Sequence, residues 1–359
     1  MSSSAPQSGP TVGLVLGGGG LVGGAWILGG LLALADTTRW DPRTADYIVG
    51  TSAGSVLGAL IDAGLSPEEI KSALGGESRQ ARGLGRFRLK RALPLPMPAS
   101  PRLALQAIRG GGEAGPLARL AAWLPSGFLC TEPITELVAE LAPRGWAKSS
   151  RLRVVAYELD SGKRVVFRRG GAPAAGLADA VAASCAIPGV YHPVVLHGRR
   201  YIDGGVHSPS NADVLSRRRP GVVICLNPLS SSGAVAGGSW FDRLAESIRG
   251  ISGSYLERET QLLKSGGSEV LVLQPSATDV NLMGFNLMRS DGLDDIVQAA
   301  RTSVAAQLRQ VTAASGAAST PRVARLFGLR QLPRRAPTSA PRKPIEPSIP
   351  RISAGTVAA

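Results

Sequence analysis

Five short apolar runs, rich in Val, Ile and Leu, recur along the chain between longer polar or periodic segments. Such runs are typical of strands buried on both faces, where helices cover both sides of a parallel sheet. They are Thr11–Leu16, Tyr47–Val49, Leu152–Glu158, Val222–Leu226 and Glu269–Gln274. Their alternation with helical segments predicts an α/β domain built in layers around a mostly parallel sheet.

Apolar residues at three- and four-residue steps identify the helices between these runs. Two such stripes, over 241–255 and 296–311, predict amphipathic helices with one buried face. A shorter helix, Pro67–Leu74, is predicted from the capping box formed by Ser66 and Glu69. None of these stripes indicates a function, because a helix face of this kind is usually core.

Composition then divides the chain. The 45 glycines and 4% aromatic residues favour a core of small aliphatic side chains packed against backbone. The net charge is +14, but residues 78–119 carry a surplus of eight positive charges and residues 316–359 a surplus of seven. We therefore predict a domain over 11–315, with a helical or loop lid insertion at 75–125. A disordered N-terminus at 1–10 and a disordered Pro/Arg-rich tail at 316–359 flank it.

The two basic segments predict an anionic partner, either lipid headgroups or nucleic acid. In the insertion, basic residues precede the apolar run Leu93–Pro98, a combination typical of segments that attract headgroups and then insert apolar side chains. A loop without any partner, in a chain whose composition favours Arg, is the alternative.

Two other features bear on the cellular setting. Cys130, Cys185 and Cys225 are odd in number and far apart, which favours neither disulfides nor a zinc site and fits a reducing cytoplasm. The uncharged stretch from Thr11 to Ala35 raises the question of a membrane span or signal peptide. Eight glycines between Leu14 and Ala35, and the lack of Lys or Arg before them, argue against both.

A glycine run follows the first predicted strand and opens the first long helix. Gly18, Gly20 and Gly23 satisfy G-x-G-x-x-G, the fingerprint of dinucleotide binding. However, an acidic residue should then end the second strand, and the nearest one, Asp46, precedes that strand. The other interpretation is an oxyanion hole, since bare backbone N–H groups can approach a tetrahedral oxyanion without hindrance from side chains.

A second glycine motif, Gly50-Thr51-Ser52-Ala53-Gly54, lies between the second strand and a helix. G-x-S-x-G in this context predicts a nucleophile elbow, in which the glycines permit a tight turn and the serine hydroxyl is exposed. The helix that follows directs its N-terminal N–H groups towards charge that develops at Ser52.

The chain offers few bases for such a serine. The predicted hairpin over 194–203 ends at Asp203, directly before Gly204 and Gly205, where a partly desolvated carboxylate needs a partner. The alternative role for Asp203 is that of a turn residue. The three histidines are His192, His197 and His207; a Ser52–Asp203–His207 triad is conceivable, but a direct Ser52–Asp203 dyad is better supported.

Four segments together resemble the patatin-like phospholipases, in the order and spacing of that family. They are GGGGLVG at 17–23, GTSAG at 50–54, ASCAIPGVYHP at 183–193 and DGG at 203–205. The resemblance implies a three-layer α/β/α fold and metal-free, cofactor-free hydrolysis of lipid acyl esters. It also implies a catalytic Ser52–Asp203 dyad and an acyl-enzyme. The oxyanion or substrate-binding positions would be Gly18, Gly19, Gly20, Gly23 and Ala53.

One departure from the family concerns its glycine motif, where Val22 replaces the usual Arg or Lys. The expectation is a phospholipase A-type serine esterase that acts on phospholipid or another acyl-ester lipid. It would be cytoplasmic and peripheral at the inner membrane face, with nucleic acid an unlikely partner. The alternative is a non-catalytic protein that binds anionic lipid or nucleic acid and keeps a vestigial site.

Overall fold

The structure, a computed structural model, describes residues 10–75, 115–147, 151–231, 240–314 and 322–327. Eight strands form one sheet in the order β5-β6-β3-β2-β1-β7-β8, with β4 paired to β3. The strands are β1 Val12–Leu16, β2 Tyr47–Thr51, β3 Leu152–Glu158, β4 Lys163–Phe167, β5 Val194–Leu196, β6 Arg199–Asp203, β7 Val222–Leu226 and β8 Glu269–Leu273.

The sheet is parallel over five of its strands and antiparallel at one side. β3, β2, β1, β7 and β8 are parallel, whereas β4 and β6 run antiparallel to β3. All five apolar runs of the sequence are strands, which confirms the predicted α/β fold.

Two strands share one edge of β3 and meet end to end. β2 pairs with the first half of β3, so that Thr51 is opposite Val155. β6 runs in the opposite direction along the second half, so that Asp203 is opposite Ala156. β4 occupies the other edge of β3. The carboxyl ends of β2 and β6 therefore meet at two consecutive residues of β3.

Helices cover both faces of the sheet and complete the three layers. Those of at least seven residues are α1 Gly20–Thr38, α2 Ala53–Asp62, α3 Pro67–Gly75, α4 Pro116–Trp123, α5 Glu132–Leu141, α6 Leu177–Ser184, α7 Trp240–Ser265, α8 Ala277–Met283 and α9 Leu293–Ala314. The larger core cluster contains residues of α1, α2, α6 and α9 together with one face of β1. The opposite face of β1, through Val15, packs in a second cluster with Leu256 and Leu263 of α7.

The helix α1 is long and apolar enough to cross a membrane by composition, with a mean hydropathy of 1.4. Most of its residues are buried, including Trp26 and Ile27, which are fully inaccessible. Helix α1 packs in the larger core cluster with Val297 and Val304 of α9, so its apolar length is explained by core packing.

Local signals in the sequence agree with the structure at several helix and strand ends. The predicted capping box forms: the Ser66 N–H donates to Glu69 Oε2 at 2.7 Å and the Glu69 N–H donates to Ser66 Oγ at 3.2 Å. The hairpin over 194–203 forms as β5 and β6, and Asp203 is the last residue of its strand.

The predicted disordered tail begins too early. Residues Arg322–Leu326 form a short helix, α10, whose first N–H groups bind the carboxylate of Glu269 on β8. Val323, Ala324 and Phe327 are buried. These apolar side chains lie on one face at helical spacing, so three residues of the tail add to the core. The rest of the predicted tail, 328–359, lies outside the described residues.

The predicted lid insertion is described only from residue 115 onwards. There the chain forms α4, and Ala118 and Ala121 are buried against the domain, Ala118 in a small cluster with Tyr157 and Ile202. The apolar run Leu93–Pro98 and the basic residues before it lie outside the described residues, as does the N-terminus over 1–9. The insertion as a lid therefore stays a prediction.

Candidate active site

Ser52 occupies a strained corner between β2 and α2. Its backbone angles are φ 53° and ψ −127°, a region that residues with a Cβ rarely adopt. The corner is closed by the two motif glycines: a Cβ at Gly50 would lie 2.5 Å from Ser55 Cα, and one at Gly54 would overlap the Leu16 carbonyl. The G-x-S-x-G sequence thus forms a sharp turn packed against the end of β1.

Two hydroxyl groups hold the main chain of Ser52. The Ser52 N–H donates to Ser184 Oγ at 2.9 Å, and Ser184 in turn donates to the Val155 carbonyl at 2.6 Å. On the other side, Ser55 Oγ donates to the Ser52 carbonyl at 2.6 Å. Ser184 and Ser55 are fully buried. These bonds lock the strained corner to β3 through α6.

Asp203 lies at the end of β6 and lines a cavity together with Ser52, whose hydroxyl lowers the pKa of the Asp203 carboxylate. The carboxylate also accepts the Gly205 N–H at 2.7 Å. Burial raises the pKa of Asp203 to about 6, and the bonds from Ser52 and Gly205 oppose this rise. Asp203 is therefore ionised at neutral pH but close enough to neutrality to accept and return a proton.

Asn211 connects the two strand ends. Its side-chain amide donates to Thr51 Oγ1 at 3.1 Å, to the Gly204 carbonyl at 3.3 Å and to the Ser208 carbonyl. Asn211 is fully buried and has φ 51°, a conformation that Asn tolerates better than most residues. A single side chain therefore spans from the residue before Ser52 to the residue after Asp203.

The glycine loop runs beside Ser52, but its N–H groups have different partners. A Cβ at Gly18 would lie 3.3 Å from Ser52 Cβ, so the loop is in contact with the candidate nucleophile. However, the Gly18 N–H donates to the Pro209 carbonyl at 2.8 Å, and the Gly23 N–H donates to the Gly19 carbonyl at 2.8 Å. Because these N–H groups already donate hydrogen bonds within the protein, Gly18 and Gly23 do not offer an N–H group to an oxyanion.

Three of the predicted oxyanion or substrate-binding positions remain, and each lines a cavity together with Ser52. Within the described part of the chain no hydrogen bond is recorded for the N–H groups of Gly19, Gly20 and Ala53. All three open a helix: Gly19 and Gly20 begin α1, and Ala53 begins α2. Gly20 has φ 62° and a Cβ there would lie 2.5 Å from the Leu287 carbonyl, so only glycine fits.

Val22, the departure from the family's motif, is fully buried in the larger core cluster. Its N–H donates to the Leu287 carbonyl at 3.1 Å. The residue therefore fixes the glycine loop against the segment around Leu287 and brings no charge to the site.

None of the histidines has a recorded contact with Ser52 among the described residues. Burial, followed by the charge of Arg164, lowers the pKa of His207, whose other charged neighbour is Asp213. His197 lies at the β5–β6 turn and its Nε2 contacts the Ala174 carbonyl at 3.0 Å. His192 follows Tyr191, and its N–H donates to the Leu129 carbonyl. A Ser52–Asp203–His207 triad is therefore not formed.

The dinucleotide interpretation also lacks its acidic residue. Asp46 accepts the Val12 N–H at 2.7 Å at the start of β1, away from the end of β2 where a ribose partner is required.

Within the described residues, no group of three or more His, Cys, Asp or Glu side chains is arranged to hold a metal ion.

Ser52 lines two cavities. We call the first the α1 cavity; its lining is mostly apolar and includes Leu21, Ala25, Leu28, Leu57, Ile134 and Val297. We call the second the α4 cavity; it is lined by Asp203 and by apolar residues that include Leu117, Ala121, Leu124, Val206 and Leu229. Gly20, Ser52 and Ile187 line both cavities. Asp203 lines the α4 cavity but not the α1 cavity.

Ser184 and Asn211 shape the site, although neither is predicted from the sequence as a site residue. Ser184 lies inside the segment 183–193, whose resemblance to the family was a usable signal. For Asn211 no local signal exists, because its partners are fixed only when β2 and β6 meet on β3.

Comparison with known proteins gives a match over more than half of the chain. The family model described as patatin-like phospholipase matches residues 14–216, a span that holds the glycine loop, Ser52, Asp203 and Asn211. All the predicted site residues therefore lie within the matched segment.

Several solved structures share similarity with the whole chain at low identity. VipD from Legionella pneumophila is 14% identical, with a TM-score of 0.40, over 86% of this chain and 68% of VipD. ExoU, a type III effector protein, is 16% identical, with a TM-score of 0.33, over 89% of this chain and 59% of ExoU. Full-length ExoU from Pseudomonas aeruginosa in complex with SpcU is 18% identical, with a TM-score of 0.30, over 86% and 62%. The chain thus spans less than two thirds of ExoU.

Proposed function

Since this chain belongs to the patatin-like phospholipase family, a membership that supports lipid hydrolysis, we propose that it is a serine acyl hydrolase with a Ser52–Asp203 dyad. The observation that carries the proposal is that Ser52 and the buried Asp203 line one cavity, where the Ser52 hydroxyl lowers the pKa of the carboxylate. A nucleophile and a base in direct contact form the minimal unit for acyl transfer.

The proposed acylation step uses both residues. Ser52 Oγ attacks the ester carbonyl carbon while its proton passes to the Asp203 carboxylate. The tetrahedral intermediate then collapses, the bond to the alcohol oxygen breaks, and Asp203 returns the proton to that oxygen. The products are a free alcohol and an acyl ester on Ser52.

Deacylation repeats these transfers with water. Asp203 takes a proton from a water molecule as the water oxygen attacks the acyl carbon. Ser52 Oγ leaves with the proton that Asp203 returns, and a fatty acid is released. The raised pKa of Asp203, about 6, favours a group that must both accept and donate protons.

We assign the oxyanion to the N–H groups of Gly19, Gly20 and Ala53. These are the predicted donors that have no recorded partner in the described residues. Their position at the N-termini of α1 and α2 adds the positive ends of two helix dipoles. One well-placed donor of this kind typically stabilises a transition state by about 2.7–4 kcal/mol. Gly18 instead anchors the loop to Pro209.

Cys185 does not compete as a nucleophile. It lines the α1 cavity, but burial and the nearby Asp203 charge raise the pKa of its thiol, so that the thiol stays protonated. Its sulfur lies 3.9 Å from Ser55 Oγ, behind the elbow.

The test is covalent labelling by a fluorophosphonate probe, with mass-spectrometric mapping of the modified residue. We expect the probe on Ser52 in the wild type, none on Ser52→Ala, and slower labelling in Asp203→Asn. The same proteins are compared on a chromogenic acyl ester. Equal hydrolysis by all three would contradict the dyad. Binding to anionic vesicles without any labelling would instead favour a vestigial site that binds lipid.

A further inference from the structure

We propose that the two cavities are separate sites for the two halves of the ester, and that the alcohol half is neutral and apolar. This inference rests on the proposed function. It assigns the acyl chain to the α1 cavity and the alcohol portion to the α4 cavity, and it favours acylglycerols or fatty-alcohol esters over phospholipids as substrates.

The proton balance of the reaction fixes which half lies in which cavity. Asp203 must return its proton to the departing alcohol oxygen, so that oxygen leaves on the side of Ser52 where Asp203 lies. Asp203 lines the α4 cavity and does not line the α1 cavity. The acyl group, which stays bonded to Ser52, then extends into the α1 cavity.

The α1 cavity offers a mostly apolar wall along one helix. One face of α1 forms a wall of it through Gly20, Leu21, Gly24, Ala25 and Leu28. These eight steps cover ~12 Å at 1.5 Å per residue. An extended chain advances ~3.3–3.6 Å over three backbone bonds, so the wall matches an acyl chain of about ten carbons.

The α4 cavity has the wrong electrostatics for a phosphate. Among the described residues that line it, the one charged side chain is Asp203, an anion at neutral pH, and the rest are Ser52, apolar residues and glycines. A phosphate beside the scissile ester would be desolvated next to a like charge.

A block in the α1 cavity should affect only the preference for acyl-chain length, and a block in the α4 cavity only the preference for alcohol length. A matched pair of substitutions tests this. Ala25 lines only the α1 cavity and Ala121 lines only the α4 cavity, and both are small and buried. We expect Ala25→Phe to lower hydrolysis of decanoyl esters at least about tenfold relative to acetyl esters of the same alcohol. Ala121→Phe should instead lower hydrolysis of decyl esters relative to methyl esters of the same acid.

The control for these variants is the rate at which a small fluorophosphonate labels Ser52. If a phenylalanine variant fails to fold or to label, Ala25→Leu and Ala121→Leu replace it as milder blocks. Reversed selectivity, with Ala25→Phe affecting the alcohol and Ala121→Phe the acid, would overturn the assignment. So would one variant that affects both halves equally.

Head-group preference is tested with lipids that share the same decanoyl chain, presented in one neutral detergent. We expect kcat/KM for tridecanoylglycerol and decyl decanoate to exceed that for didecanoyl phosphatidylglycerol by about tenfold or more. Leu124→Lys is the gain-of-function variant, because Leu124 lines the α4 cavity and is 37% exposed. This variant should reduce the difference in kcat/KM between the two neutral esters and didecanoyl phosphatidylglycerol.

Faster hydrolysis of the phospholipid by the wild type, with Ser52 labelled, would overturn the inference and leave the proposed function intact. No labelling and no hydrolysis of any ester would overturn the proposed function itself.

Discussion

The two strand ends that meet on β3 provide their reactive groups in different ways. At the end of β2, Ser52 is conformationally strained, with φ 53° and ψ −127°, and its main chain is held by buried hydroxyls. At the end of β6, Asp203 has φ −51° and ψ 132°, which is unstrained, but its charge is buried. The backbone is strained at the end of β2, whereas a charge is buried at the end of β6.

This difference explains the distribution of supporting contacts. At the Ser52 end, the Ser184 hydroxyl accepts the Ser52 N–H, and the Ser55 hydroxyl adds a second donor to the Ser52 carbonyl. The Asp203 end needs donors to its carboxylate, which Ser52 and Gly205 supply. Both costs belong to the site itself. A glycine at position 52 should therefore relieve the backbone strain, and neutralising Asp203 should relieve the electrostatic cost, while either change abolishes activity.

The largest expected effect is at Ser52, where the backbone strain can be separated from the chemistry. Both Ser52→Ala and Ser52→Gly should lose about 10⁴-fold or more in kcat/KM, because the nucleophile is gone. Glycine accepts a positive φ without a steric penalty, so Ser52→Gly should unfold with about 1 kcal/mol more free energy than Ser52→Ala. Urea titration of both variants measures the difference. A less stable glycine variant would contradict the strain at this end.

The second effect is at Asp203. Asp203→Asn should lose about 10³-fold or more in kcat/KM, since a neutral amide cannot accept the proton. In the wild type, kcat/KM should fall as pH drops below about 6, the pKa to which burial raises Asp203. A pH profile of ester hydrolysis checks this acid limb. A profile flat down to pH 5 would contradict a base with this pKa.

The free energy of unfolding should decrease as pH rises, whereas kcat/KM should increase. Because the folded pKa of Asp203 is raised, the native state keeps a proton that the unfolded state has lost between pH 4 and 6. The contribution of Asp203 to the free energy of unfolding therefore decreases as pH rises through this window and is constant above it. Asp203→Asn should lack this slope and gain up to about 3 kcal/mol at pH 7, from 1.36 kcal/mol per pKa unit. Urea titrations of both proteins at pH 4 and pH 7 measure it.

How far the sequence predicts this site depends on whether a residue's partners are local. The elbow at Ser52 is predictable because Gly50 and Gly54, which make the turn possible, lie two residues away on either side. The capping box at Ser66 is local in the same way. Likewise the five buried strands follow from runs of apolar residues that need no knowledge of their neighbours.

Features that depend on strand register are not predictable in this way. The sequence indicates that Gly18 has a bare N–H group, but the carbonyl of Pro209 that occupies it comes from a distant loop. Likewise, that Asp203 reaches Ser52 follows from the register of β2 and β6 on β3. From the residues alone the Ser52–Asp203 pairing is one interpretation beside a triad with His207, and the resemblance to a known family supports the pairing. The segment 322–327 was misjudged for the same reason, since Glu269 on β8 receives its N-terminus.

The third effect tests the side chain that joins the two ends. Asn211→Asp keeps the volume and the tolerance of positive φ, but it replaces an amide donor by an acceptor that faces the carbonyls of Gly204 and Ser208. We expect a loss of about 2–4 kcal/mol in unfolding free energy, as for other broken buried networks. A drop in kcat of about tenfold or more should accompany it, with little change in KM. An unchanged kcat would mean that Asn211 stabilises the fold without aligning the dyad.

The smallest effect compares the two hydroxyls that hold Ser52. Ser55→Ala removes one of two donors to the Ser52 carbonyl, since the Ser55 N–H still binds it at 2.7 Å, and should cost about 1 kcal/mol. Ser184→Ala leaves the Ser52 N–H and the Val155 carbonyl without their recorded partner, and should cost about 2–3 kcal/mol. It should also slow fluorophosphonate labelling more than Ser55→Ala does, because the freed N–H lets the corner relax. Equal losses in both assays would mean that the corner is held by the packing of Gly50 and Gly54 and that the hydroxyl of Ser184 is dispensable.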